Sequence, residues 1–281
     1  MRVGARALRI ALLAAATGGS RAQALLVILS TRSDATLGTL SFEPEDLVQY
    51  DTLTDSATLF LDGDAVFVEE ENIDAFHLLP NGNILLSTAG GAQIGTLVFA
   101  GGDLVEYDPV ANAATLYFDG SAEFTLAPEN IDALHLLANG HLLLSTVSDA
   151  TLGTLAFEAE DLVEYDMVAH TATLFFDGDA EFPQEEDIDA VDVLANGHLV
   201  LSTADDATLG SLTFEEEDLV EYDPVGNTAT LLFDGDAEFT LAEEDIDAVQ
   251  VIPEPGPAAL LTSGLMALGR WRRPGTRTRA A

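Results

Sequence analysis

The chain repeats one unit four times at an almost fixed period. The triplet "LST" recurs with its serine at Ser30, Ser87, Ser145 and Ser202, spaced 57, 58 and 57 residues apart. "DLV(E/Q)YD" starts in step at Asp46, Asp103, Asp161 and Asp218, and "(F/L)DG" places Gly63, Gly120, Gly178 and Gly235. "IDA" keeps the step to within one residue at Asp74, Asp132, Asp189 and Asp247. The copies fill residues 25–252 without a linker or a low-complexity stretch, so the body reads as one domain. A unit this short cannot cover its own apolar side chains. Its neighbours must do so, in a ring or in a stack.

Each copy holds four strand-like runs rich in Val, Leu, Phe, Tyr and Thr, bounded by Gly, Asn, Asp or Pro. Around the second copy these are residues 84–88, 104–107, 114–118 and 131–137. Asn81-Gly82, Asn139-Gly140 and Asn196-Gly197 join each "IDA" run to the next "LST" run. Asn-Gly readily takes the positive φ angles of a type I′ hairpin turn, so a hairpin is expected there. Runs such as "LHLL" and "HLLLST" are apolar on both faces, as strands covered on both sides are.

Four-stranded antiparallel units at this period predict an all-β fold, a four-bladed β-propeller. The expected blade order is the "IDA" run innermost, then "LST", then "LVEYD", with "TLFFDG" outermost. An acidic connection, such as residues 236–244, then crosses to the next blade. The ends agree with a ring. The first copy lacks its inner strand, and the last copy ends with a spare one, "IDAVQVI". Pairing residues 25–31 with 246–252 would leave no raw sheet edge. A linear stack would want polar caps, and none is visible. The alternative folds are a β-solenoid and a paired β-sandwich.

Charge separates the body from its ends. All ten basic residues are arginines, and only Arg32 lies within residues 25–252. Of the 49 acids only Glu254 lies outside the body, so the body carries 48 acids against one arginine, a net of −47. Nucleic acid and anionic lipid both need basic surface, so this body repels them. It attracts cations, divalent ones above all. Dense carboxylates also suit a saline medium, where salt screens their repulsion. With no cysteine in the chain, disulfides, thiolate metal sites and thiol nucleophiles are excluded.

The N-terminus reads "MRVGARALRIALLAAATGGSRAQALL". Basic residues precede a short apolar run and then an A-x-A pattern, Ala22-Gln23-Ala24. This is the plan of a secretory signal peptide over residues 1–24, with signal peptidase cutting after Ala24. The apolar run is too short to span a bilayer, which takes about 20 residues.

The C-terminus, residues 253–281, runs Pro253, Glu254, Pro255, then a Leu/Ala/Gly-rich apolar stretch, then Arg270, Arg272 and Arg273 in a cluster reaching residue 279. The order resembles the PEP-CTERM sorting signal of Gram-negative bacteria. That resemblance covers the tail alone. It implies transient anchoring in the inner membrane through residues 258–271, with the arginines on the cytoplasmic side, which the positive-inside rule also favours. It further implies cleavage near Pro-Glu-Pro by an exosortase and delivery of the body to the cell surface or extracellular matrix. The apolar stretch is shorter than a comfortable span, so bilayer thinning or arginine snorkelling is needed. The repeats, with "LLLST" and "YFDGS", are similar to units of secreted bacterial proteins, a likeness that bears on architecture only.

No nucleophile–base set, GxSxG, HExxH or phosphate loop is present, so no catalytic residues are assigned and no enzyme is expected. His77, His135, Asp192 and Gln250 share one repeat position and would meet at one level of a ring, where two His and an Asp could ligate a metal. His141 and His198 align with Asn83 after the Asn-Gly turns, as solvated turn residues. His170 is lone and loop-like. The carboxylates of the connections are the better metal candidates. They are Asp177, Asp179, Asp187 and Asp189 in one copy, and Asp234, Asp236, Asp245 and Asp247 in the next. Calcium takes six to eight oxygen ligands, though the spacing matches no EF-hand loop. No other cofactor is implied.

The sequence thus points to a secreted, exosortase-processed acidic repeat protein. Its expected role is structural or binding, at the cell surface or in the exopolysaccharide matrix, with calcium as the candidate ion. A lectin-like propeller is the alternative, weakened because the only Trp, Trp271, lies in the tail. A hydrolase or lyase acting at the channel comes third.

Overall fold

In a computed structural model, which describes residues 26–125, 129–240 and 244–252, each repeat supplies one four-stranded antiparallel sheet. The signal-peptide and tail assignments lie outside the described residues. From the axis outward, blade one is Ala248–Ile252, Leu26–Ser30, Leu47–Asp51 and Ser56–Leu61. Blade two is Ile73–Leu78, Ile84–Thr88, Leu104–Asp108 and Ala113–Phe118. Blade three is Ala133–Leu136, Leu142–Ser145, Leu162–Asp166 and Thr171–Phe176. Blade four is Ala190–Val193, Leu199–Ser202, Leu219–Asp223 and Thr228–Phe233. The inner strands of successive blades touch one another in cyclic order, four to one included. The fold is a closed four-bladed β-propeller.

Closure takes the form the chain ends suggest. Ala248–Ile252 pairs along its whole length with Leu26–Ser30, from Ser30 opposite Ala248 to Leu26 opposite Ile252. The core is divided into four apolar wedges, one between each pair of adjacent blades. This explains why the strands are apolar on both faces. Val27 and Leu29 turn into the wedge shared with blade four, while Ile28 turns into the wedge shared with blade two. Each fully buried side chain of this size contributes about 1.5–3 kcal/mol. The "LST" serines are buried and act as glue: Ser30 Oγ donates to the Ile73 carbonyl of the next blade at 2.8 Å, and Ser145 Oγ to that of Ile188 at 2.6 Å.

Three local features differ from the sequence reading. The Asn-Gly loops are not type I′ turns. Only the glycine has positive φ, +87° at Gly82, +85° at Gly140 and +86° at Gly197. Gly82 N–H donates to the Leu79 carbonyl, and Leu79 N–H to that of Asn83, which is the longer three-residue loop with its glycine in the left-handed region. Each copy also carries a small extra hairpin, the first being Ala35–Leu37 with Leu40–Phe42. It turns at Gly38, where φ is +59°. Finally, "DG", used above only as a repeat marker, opens a one-turn helix or 3-10 turn. Asp119, Asp177 and Asp234 accept from Ala122, Ala180 and Ala237 N–H as N-caps.

The extra hairpins staple blades together. Thr36 of blade one accepts from Thr240 N–H, Gln93 of blade two from Val68, and Thr151 of blade three from Thr125, at 2.9–3.1 Å. Pro183 stands at that place ahead of blade four and has no N–H to give.

A second staple joins the "LVEYD" tyrosine of one blade to a glutamate of the blade before. Tyr50 donates to Glu238, Tyr165 to Glu123 and Tyr222 to Glu181, the last at 2.5 Å. The residue equivalent to these glutamates ahead of Tyr107 is Val66, and among the described residues Tyr107 donates within its own blade, to Asn112 at 3.0 Å. Burial and the facing carboxylate raise the pKa of Tyr50, Tyr165 and Tyr222, so the phenols stay donors at any ordinary pH. Replacing Glu181 with Ala is expected to cost about 1–2 kcal/mol in urea denaturation. An unchanged midpoint would show that the tyrosine staple carries no stability.

Candidate cation sites on one acidic face

Antiparallel alternation sorts the loops onto two faces. The starts of the inner and third strands and the ends of the second and outer strands share one face, and the Asn-Gly turns lie on the other. The connections that cross between blades therefore bring their acids to the first face. An open cleft of about 290 Å³ at the boundary of blades three and four is lined by Asp149, Glu158, Glu160, Glu185, Glu186, Asp187 and Asp205.

At the centre of this face the "IDA" aspartates surround the channel mouth. Asp74, Asp132, Asp189 and Asp247 are all buried. The residue two positions earlier in each copy reaches back to the aspartate of the preceding blade, and four such links close a ring. Asn72 donates to Asp247 at 2.6 Å, and Asn130 to Asp74 at 2.6 Å. In the other two links Asp187 meets Asp132 and Asp245 meets Asp189. A carboxylate cannot donate to a carboxylate, so these links need a proton or a cation between them. No N–H or hydroxyl donor reaches either oxygen of Asp189 among the described residues, and Asp132 Oδ2 and Asp187 Oδ1 are likewise without one. Asp189, Asp245 and Asp247 bring one oxygen each within 4.8 Å of one another.

The only arginine of the body sits over this trio. Arg32 replaces the Ala89, Val147 and Ala204 of the other copies, and its guanidinium lies 3.3 Å from Asp245. One exposed arginine against six aspartates leaves most of the charge uncompensated. Burial pushes Asp74 up to about 6 and Asp187 up to about 7. Asp132, Asp189 and Asp247 are also raised well above the ordinary carboxylate value, by burial first and then by neighbouring carboxylates. Asp245 is raised by burial, with Arg32 pulling the other way.

Below the mouth, His77, His135, Asp192 and Gln250 meet at one level as expected from their shared repeat position. They close the channel with hydrogen bonds. His135 Nδ1 lies 2.8 Å from Asp192, whose other oxygen accepts from Val251 N–H, and Gln250 accepts from Leu78 N–H. His77 stacks edge-on against His135 with ring centres 4.7 Å apart, and burial drives its pKa down to about 4, so it is neutral. His77, His135 and Asp192 do not bring three ligand atoms within 4.8 Å of one another.

The remaining histidines are placed by the sheet. His141 and His198 on the turn face pair with Glu164 and Glu221 at 2.7 Å. His170 takes the left-handed turn position, φ +53°, that Asp55, Asn112 and Asn227 hold elsewhere, and contacts Glu123 at 2.9 Å.

The eight aspartates singled out by sequence divide into three groups. Asp187, Asp189, Asp245 and Asp247 join the channel-mouth ring. Asp177 and Asp234 are helix caps. Asp179 and Asp236 lie on the rim, where each meets two glutamates that sequence reasoning did not select: Glu158 and Glu160, and Glu215 and Glu217. Blade one has the same trio in Glu43, Glu45 and Asp64. The signal was present in the repeat, as "EPED", "EAED" and "EEED" in three copies against "AGGD" in the second.

No family model matches the chain, and no curated protein sequence matches it. Among solved structures, the hemopexin fold protein CP4 from cow pea is similar at 14% identity and a TM-score of 0.38, over 86% of this chain and 95% of that one. An extracellular domain from B. thetaiotaomicron is similar at 12% identity and a TM-score of 0.37, over 82% of this chain but only 36% of that one. A protein of unknown function from Bacteroides caccae gives 10% identity and a TM-score of 0.23, over 75% of this chain and 57% of that one. Nothing about activity follows from likenesses this distant.

Proposed function

We propose that the chain is an exported, non-catalytic β-propeller that serves as a binding or structural component of the cell surface or its polysaccharide matrix, and that calcium at the channel mouth completes its fold. Signal peptidase and an exosortase process the two ends. The calcium part rests on one observation: six aspartates ring the mouth against a single arginine, and no N–H or hydroxyl donor reaches Asp189 among the described residues. Burying unpaired carboxylates costs several kcal/mol each, and a divalent ion offsets that cost at several of them together. The export part rests on the signal-peptide pattern and the Pro-Glu-Pro tail.

Asp189→Asn tests the ion site with a signature that damage to the fold would not give. The amide can donate to Asp245 and removes one charge, so the calcium-free variant is expected to melt higher than the parent. Its response to calcium is expected to shrink. A variant that melts lower yet keeps the full calcium response would overturn the reading. Mass spectrometry of the exported protein tests the addresses, with ends expected at residue 25 and near residue 253.

A further inference from the structure

The rim trios are separate from the channel mouth, and three features of them converge. First, the trio is built three times from two segments about twenty residues apart, with one oxygen of each residue within 4.8 Å of the others. Second, blade two departs at all three positions together, with Ala100, Gly102 and Ser121. Independent surface acids have no reason to disappear as a set, whereas the ligands of one ion do. Third, the central glutamate is buried. Glu45, Glu160 and Glu217 are only 3–4% exposed, and Glu160 Oε1 is buried with no donor among the described residues.

The fold holds that glutamate in place. Its Cγ lies against the "DG" glycine so closely that a Cβ on Gly178 would come within 2.2 Å of Glu160 Cγ, and Gly63 and Gly235 repeat the contact with Glu45 and Glu217. Asp161 braces the same loop by accepting from Glu158 N–H at 3.0 Å and Gly178 N–H at 2.9 Å. The glutamate is thus fixed between two exposed carboxylates, and among the described residues no cationic side chain pairs with it. The repulsion is mutual. Asp64, Asp179 and Asp236 are the first cause that raises Glu43, Glu158 and Glu215, while burial raises Glu217 to about 7.

We propose that blades one, three and four each hold one divalent cation of the calcium class on the rim, through Glu43, Glu45 and Asp64, through Glu158, Glu160 and Asp179, and through Glu215, Glu217 and Asp236, and that blade two holds none. Bound mainly through one oxygen each, three carboxylates supply fewer than the six to eight oxygens calcium takes, so the ion keeps positions open towards solvent. Such an ion can be shared with an outside oxygen ligand, which a fully enclosed structural ion cannot.

Blade two is the internal control. In the full chain carrying Asp189→Asn, which removes one carboxylate of the channel-mouth trio and so weakens that site, substoichiometric manganese is added as a paramagnetic probe and backbone amides are followed by NMR. The amides of Gly63, Gly178 and Gly235 are expected to broaden while that of Gly120 stays sharp, and calcium is expected to reverse the effect. Glu160→Gln should restore Gly178 alone and leave Gly63 and Gly235 broadened. Equal broadening of all four glycines would mean diffuse attraction by the acidic face and would overturn the proposal. So would no broadening at all, or indifference to Glu160→Gln. None of these outcomes bears on the channel mouth, which the melting behaviour of Asp189→Asn decides.

Discussion

Millimolar calcium is expected to raise the melting temperature at pH 8 and to do far less at pH 5, while the calcium-free protein melts higher at pH 5 than at pH 8. The pH dependence without calcium comes from the channel mouth, and the calcium response from the mouth together with the rim trios. Asp74 and Asp187 are raised from 3.8 to about 6 and about 7, and Asp132, Asp189, Asp245 and Asp247 are raised as well. A carboxyl with a raised native pKa binds its proton more tightly when folded. The stability it contributes is fully present below about pH 4 and is lost as the pH climbs through 6 to 7. Neutral His77 opposes this. Its pKa falls from 6.5 to about 4 on folding, so acidification through that window costs stability. One histidine set against six aspartates leaves the net rise towards pH 5 intact.

Calcium replaces those protons at high pH and competes with them at low pH. At a hundredfold excess over Kd, one site contributes about 2.7 kcal/mol. For a domain of this size that is roughly 5–10 °C. Calorimetry at constant ionic strength, with and without calcium, separates the ion from general screening. A calcium-free melting temperature that is flat or falls between pH 8 and pH 5 would refute the account of the mouth.

A chain ended after Asp247 is expected to lose its cooperative unfolding transition, whereas one ended after Ile252 keeps it. The five residues Ala248–Ile252 are the whole inner strand of blade one. Ala248 belongs to the wedge shared with blade two and Val249 to the wedge shared with blade four, so both wedges open when the strand goes. The lost burial and strand pairing come to on the order of 5 kcal/mol, comparable with the whole stability of many domains. Leu26–Ser30 would also become a raw, apolar sheet edge open to aggregation. Near-ultraviolet circular dichroism and a melting curve decide the matter. Two chains that melt alike would mean that the ring does not depend on its closing strand.

The architecture was legible because repetition and alternation are properties of the chain itself. The period set the number of blades, two-faced apolar runs set strands packed on both sides, and the missing and surplus strands set the closure. The small hairpins were overlooked although Gly38 and its counterparts mark them, because runs of three residues fall below any periodicity test. The sites were harder to see. Along the sequence, residues 234–247 look like one acidic cluster. In space they separate: Asp234 caps a helix, Asp236 joins a rim trio, Glu238 holds Tyr50, and Asp245 and Asp247 reach the channel mouth. Conversely, Asp236 meets Glu215 and Glu217 only because strands Leu219–Asp223 and Thr228–Phe233 run back to one end of the blade. Carboxylates report their neighbours through folding and not through spacing.

Because Leu26 stands opposite Ile252, the described chain enters and leaves the propeller at a single corner of blade one. That corner lies on the face of the Asn-Gly turns, and the carboxylate ring and rim trios lie on the other. Any tether at either end therefore works as a hinge on one side of a disc. A membrane holding such a tether would see the turn face, and the carboxylate ring and rim trios would point away from it.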